Sequence, residues 1–105
     1  MRVTIIASDG FVSIDEEGYE GIDLSFMNAD IHALQWYGND GEIERKDERG
    51  RIVSNEEITD ITPYQSALDL WQVAKESAEQ AAKENAEQAA IIQAEMDKLA
   101  LMGVN

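Results

Sequence analysis

Two hydrophobic periods divide this chain. Up to about residue 62 the apolar positions form short alternating runs between glycine- and acid-rich turns, the pattern of half-buried strands. From Pro63 onward they recur every three or four residues, with no further glycine or proline before Gly103, the pattern of one long amphipathic helix. The fold class that follows is α+β. Residues 1–62 form an acidic antiparallel β-meander head of about five short strands. Residues 63–102 form a single C-terminal helix with coiled-coil character.

Within the head, Val3 to Ala7 and Phe11 to Ile14 read as a hairpin about the Asp9-Gly10 turn signal. The pattern leaves open whether Val3, Ile5 and Ala7 or Thr4, Ile6 and Ser8 face inward. Asp15 to Gly21 reads as a loop. Ile22 to Phe26 alternates cleanly and predicts a strand with Ile22, Leu24 and Phe26 inward, followed by a turn at Met27 to Asp30. Ile31 to Tyr37 predicts a strand with His32, Leu34 and Trp36 on one side and Ile31, Ala33, Gln35 and Tyr37 on the other. Asn39-Asp40-Gly41 turns it into a polar strand, Glu42 to Lys46. Asp47 to Gly50 turns again into Arg51 to Ser54. Sequential strands joined by tight turns imply a meander of neighbours. Asn55 to Thr62 is a link into the helix.

Thr62 is placed to cap the helix and Pro63 to occupy its first position, where a missing N–H costs nothing. The helix divides in three. Tyr64, Ala67, Leu68, Trp71, Ala74 and Lys75 share one face of the anchoring turns, with Leu68 and Trp71 set against the sheet or a partner chain. Lys75 to Ala90 is an alanine-rich spacer in which Glu76 to Ala82 recurs, after eight residues, as Glu84 to Ala90. Ile91 to Met102 is an apolar end. A heptad frame through 68, 71, 75, 78, 82, 85, 89, 92, 96 and 99 is apolar everywhere but Lys75 and Asn85, and an asparagine in such a seam sets register and strand number. The plainer alternative is a solvated alanine-rich helix. Against it, isolated helices are marginal in water, and Ile91, Ile92, Met96, Leu99, Leu101 and Met102 are too apolar to be left bare.

Charge narrows the function. Twenty-two acidic against eight basic residues give a net charge of −14, and fifteen of the acidic residues fall in 1–62. Such a surface disfavours nucleic-acid phosphates and anionic membranes and suits basic partners or mimicry of a polyanion. With no cysteine there is no disulfide and no thiolate chemistry. The N-terminal apolar run is too short for a signal peptide, and no stretch approaches a membrane span. The expectation is therefore a protein folded in a reducing cytoplasm.

Little in the chain suggests chemistry. His32, the one imidazole, reads as structural, since a triad or a two-histidine zinc site needs more. The acidic run Asp15, Glu16, Glu17, Glu20 and Asp23 suggests calcium, but an EF-hand count from Asp15 puts Glu20 where glycine is required and Phe26 where the bidentate glutamate belongs. The glycines sit singly in turns rather than in a phosphate-binding loop. No catalytic residue, cofactor or metal site is expected. The aromatic anchors are Trp36 and Trp71, read as core, and Tyr37 and Tyr64, read as surface contacts for a partner.

Ile31 to Gly38 (IHALQWYG), Gly41 to Lys46 (GEIERK), Asn55 to Ile58 (NEEI) and Tyr64 to Glu76 (YQSALDLWQVAKE) together resemble small tailed-bacteriophage proteins of the tail-fibre assembly or tail-fibre-associated group. The opening VTIIASDGFVSID and the stretch YEGIDLSFM look like the same group, so the resemblance reaches to about Glu76. It implies a non-enzymatic chaperone or associated subunit whose partner is a phage tail-fibre protein. It also implies action in the host cytoplasm during assembly, or retention in the virion tail, and it supplies no catalytic residues. The residues expected to carry binding are Leu68, Trp71, Asn85, Ile91, Ile92, Met96 and Leu99 on the helix, which could also join copies of the chain, and Tyr37 and Tyr64 on the head. A different reading, resting on charge alone, is an acidic DNA-mimic inhibitor of a host nucleic-acid enzyme. A third is a structural tail subunit.

Overall fold

A computed structural model describes Met1–Met102, with side chains to Ala100. Six strands form one antiparallel sheet: β1 (Val3–Ile6), β2 (Phe11–Ile14), β3 (Glu17–Tyr19), β4 (Ile31–Trp36), β5 (Gly41–Lys46) and β6 (Ile52–Ile58). A single helix, α1 (Gln65–Met102), follows. Met1–Ala74 is one compact unit and the remainder of the helix, from Lys75, another.

The strand order is β3-β2-β1-β4-β5-β6. It corrects the expected run of sequential neighbours: two three-stranded meanders join through the antiparallel pairing of β1 with β4, Ile5 opposite Leu34. The segment from Glu20 to Asp30 makes the return between them. It is not the expected strand, although Ile22 and Leu24 are buried as anticipated and Met27 joins them. Phe26 points outward, 45% exposed. Without a ladder there is no strict alternation to hold it inside. The Ile22 amide donates to the Gly10 carbonyl (2.9 Å), pinning this segment to the β1–β2 loop. Gly10 has φ of +59°, and a Cβ there would lie 2.7 Å from the Ile22 carbonyl oxygen, so glycine is required twice over.

The acidic loop also differs from expectation. Asp15 and Glu16 (φ of +48° and +73°) make a two-residue turn that pairs Ile14 with Glu17 and creates β3. Two left-handed residues suit the twist of a tight hairpin, but neither is the usual glycine or asparagine. The sequence signal was therefore absent.

Val3 and Ile5, not Thr4 and Ile6, prove to be the buried set. They pack with Val12, Leu34, Trp36 and Ile43 on one face of the sheet. Strand β4 departs from simple alternation. Ile31 and Leu34 are both buried because the register against β5 shifts between Ile31 and Ala33, a bulge that holds His32. Gly41, opposite Trp36, leaves no room for a side chain: a Cβ there would lie 2.2 Å from the Gln35 carbonyl oxygen.

Strand β6 runs on through Asn55-Glu56-Glu57 to Ile58, so most of the expected link is strand. The helix begins later than Thr62. Thr62–Tyr64 is a 3-10 turn with Pro63 near its start, Thr62 makes no side-chain cap, and its amide instead donates to the Asp60 carboxylate (2.9 Å). The first turns of α1 then bury Ala67, Leu68 and Trp71 in the core cluster. Trp71 lies edge-on to Tyr19 (centroids 6.0 Å apart), and its indole N–H donates to the Glu17 carbonyl (2.8 Å).

Three substitutions read this architecture in urea unfolding. Trp71→Ala should cost about 3–5 kcal/mol. Gly41→Ala should cost about 1–3 kcal/mol, because backbone rather than a flexible side chain must yield. Glu16→Gly should stabilise by about 1 kcal/mol, relieving a left-handed residue that carries a Cβ.

Candidate functional surfaces

The expected binding residues fall into three environments. Leu68 and Trp71 are buried in the head, 7% and 8% exposed. The structure thereby corrects their assignment as a partner surface: of the two roles open to them, sheet or partner, burial leaves the sheet. Burial also satisfies the Trp71 indole N–H, so neither side chain presents surface to a partner.

Ile91, Ile92, Met96 and Leu99 are 54%, 47%, 58% and 66% exposed, and Asn85 is exposed with them. At 1.5 Å of rise and 3.6 residues per turn, Asn85, Ile92, Met96 and Leu99 fall on one stripe, whereas Ile91 lies one position off it. Along the same stretch Gln80 donates to Glu84 and Gln93 to Asp97, each at 3.0 Å, so polar pairs occupy other positions of the helix surface. The side chains of Leu101 and Met102, expected to continue the apolar end, and the whole of Gly103 lie outside the described residues.

On the head, Tyr37 is 48% exposed. Its hydroxyl donates to Glu42 (3.2 Å), and the Arg2 guanidinium stands 5.7 Å from its ring centroid. Desolvation first, and the Glu42 charge second, hold its phenol above the ordinary value of about 10. Tyr64 is only half-buried, resting on the core. With Phe26, Met27, Asn28, Ile31 and Pro63 it lines an open cleft of about 210 Å³. Sequence reasoning overlooked Phe26 as part of this surface because alternation placed it inside. A second open cleft, about 320 Å³, is lined by residues that include Ser8, Leu24, Ser25, Asn28 and Lys46.

The head's charges are arranged in pairs and turns. Arg45 bridges Asp30 (2.8 Å) and Glu56 (2.9 Å from Nε), which hold its guanidinium firmly protonated. Both partners are half-exposed, so the stabilisation is modest. Glu42 faces Glu57 directly across β5 and β6, a repulsive cross-strand pair. Since β6 is an exposed edge, its consecutive Glu56 and Glu57 also discourage strand addition by other chains. Among the described residues no group of three histidine, aspartate or glutamate side chains is gathered as a metal site would require. No described helix is long and apolar enough to cross a membrane.

Asp23, Asp47 and Asp60 each close a turn, and all three carboxyls sit below the ordinary range. Hydrogen bonds from Ser25 hold Asp23 down, from the Arg51 backbone chiefly Asp47, and from Thr62 Asp60. A folded pKa below the unfolded one adds stability that is present above about pH 4 and is lost as pH falls through the folded values. Asp47→Asn should therefore give a shallower acid limb than the wild type when the unfolding midpoint is followed by circular dichroism from pH 5 downward. Glu57→Lys, which turns repulsion by Glu42 into attraction, should raise the urea midpoint at neutral pH, and less so in high salt. Compared with models of known protein families, with curated proteins and with solved structures, the chain matches none.

Proposed function

We propose that this protein is non-enzymatic and acts by protein–protein contact, as an assembly chaperone or small associated subunit of a phage tail fibre. The observation that carries the protein-binding part is the distal half of α1. Four large apolar side chains, Ile91, Ile92, Met96 and Leu99, stand in solvent there while the head completes its own core without them. An apolar patch on a helix that its own fold does not need is the usual mark of a binding surface. The tail-fibre part is supported by the likeness of most of the chain up to about Glu76 to that group. In this mechanism the helix covers an apolar part of the fibre chain during assembly, and the acidic head keeps the complex in solution.

The test is co-expression with the fibre protein encoded in the same phage genome, followed by capture in rising salt. Retention should persist at moderate salt and be lost in Ile92→Asp, Met96→Asp or Leu99→Asp, since apolar contact is insensitive to screening. A complex that collapses with salt and ignores these substitutions would instead identify the acidic DNA-mimic reading. The presence of the protein in purified particles would identify a structural tail subunit.

A further inference from the structure

We infer that the seam of α1 from Ala78 to Leu99 is occupied by a second copy of this chain, parallel and in register. The inference rests on reading this stretch as a protein-binding surface, and it identifies the occupant and its geometry while no fibre chain is bound; the fibre chain takes the second copy's place. Seven positions form the seam: Ala78, Ala82, Asn85, Ala89, Ile92, Met96 and Leu99, all exposed in the single chain. They alternate in steps of four and three over about 33 Å, three heptads, near the minimum for a coiled coil. The frame's first two positions are withdrawn, because Leu68 and Trp71 belong to the head's core, and its third, Lys75, is polar and lies one layer before the seam begins.

The flanks of the seam argue for a second copy. In a chain of net charge −14, a basic partner would be held by acidic residues beside the apolar stripe. Here Glu76, Lys83, Glu84, Glu87, Asp97 and Lys98 all occupy outer positions. In a parallel pair, the facing flanks set Ala81 against Ala86, Gln88 against Gln93 and Glu95 against Ala100 of the other copy. The remaining flank charge, Glu79, falls opposite Ala74. From Ala78 to Leu99 no like charges meet across the seam, and the two Lys75 side chains meet only beyond its first layer, so a strongly acidic chain can pair with itself along this line.

Asn85 argues for parallel register. In register it meets its own counterpart, and each side-chain amide can donate to the other rather than lie unpaired among apolar layers. An antiparallel pair centred on Asn85 would also join the two amides, but it would bring Leu99 level with Trp71 of the other copy, a side chain already buried in that copy's head. Parallel pairing stacks Ile92, Met96 and Leu99 on themselves in three large apolar layers. The alanine layers argue for two strands. Two helices can close on Ala78, Ala82 and Ala89, whereas three would leave their axis unfilled. Ile91, one position off the seam, stays on the outside of the pair.

Sedimentation equilibrium of the full chain at high micromolar concentration tests the pairing. The expected mass is twice 11.7 kDa. The dissociation constant should fall with added salt as the acidic heads are screened. It should rise at least about a hundredfold in Ile92→Asp/Leu99→Asp, with unchanged near-ultraviolet circular dichroism from the head's tryptophans. A monomer, or a trimer or larger species, overturns the proposal. Leu99→Cys gives the register: the chain has no cysteine, so a disulfide-linked dimer on oxidation supports parallel pairing, and a dimer by mass that does not link overturns it. Fibre capture is scored separately. A dimer that fails to retain the fibre protein leaves this proposal standing and defeats the functional reading. A monomer that retains it does the reverse.

Discussion

The head depends on the docking of α1's first turns through Trp71. A sheet of six short strands with one apolar face cannot stay folded with that face in water, and fewer than seventy residues leave little material to cover it. Trp71 supplies the largest covering side chain. Its ring meets Tyr19, and its N–H reaches the Glu17 backbone, fifty-four residues back in sequence. Both contacts fall on β3, a three-residue edge strand made by the Asp15-Glu16 turn. The indole thus holds the shortest strand and the helix start together, and Leu68 and Ala67 fill in beside it.

The two halves of α1 consequently do different work with the same secondary structure. Up to Ala74 the helix is part of the head's unit, and Ala67, Leu68 and Trp71 are consumed in its core. From Lys75 on, alanine, glutamate and glutamine keep the chain helical by propensity, yet the apolar stripe continues and grows heavier toward Leu99. Burial within one chain does not explain that increase. The proposed pairing of copies along this line, exchanged for the fibre chain when one is present, accounts for it.

The head's charge is consistent with such a division. Several of its carboxylates close turns, as Asp23, Asp47 and Asp60 do, while Glu42, Glu56 and Glu57 gather at β5 and β6, where they make strand addition to the β6 edge unfavourable. A protein whose task is to present one apolar surface benefits from suppressing its others.

Much of this was legible in local pattern. The change of hydrophobic period at about residue 62 announced an α+β chain, and the glycine turns announced the β1–β2, β4–β5 and β5–β6 hairpins. The absence of helix breakers announced the length of α1. The heptad positions Asn85, Ile92, Met96 and Leu99 were visible because helical spacing needs no tertiary information. Long-range pairing decided the rest. Periodicity carries no record of which strands meet, so the β1–β4 junction and the inward set Val3 and Ile5 emerged only from the assembled sheet. The bulge at His32 broke the alternation that misassigned Ile31. Lack of a ladder at residues 20–30 let Phe26 turn outward, and a turn without glycine concealed β3. Trp71 shows the division most clearly. Its helical face could be read from spacing, but whether that face met a sheet or a partner depended on residues more than fifty positions away.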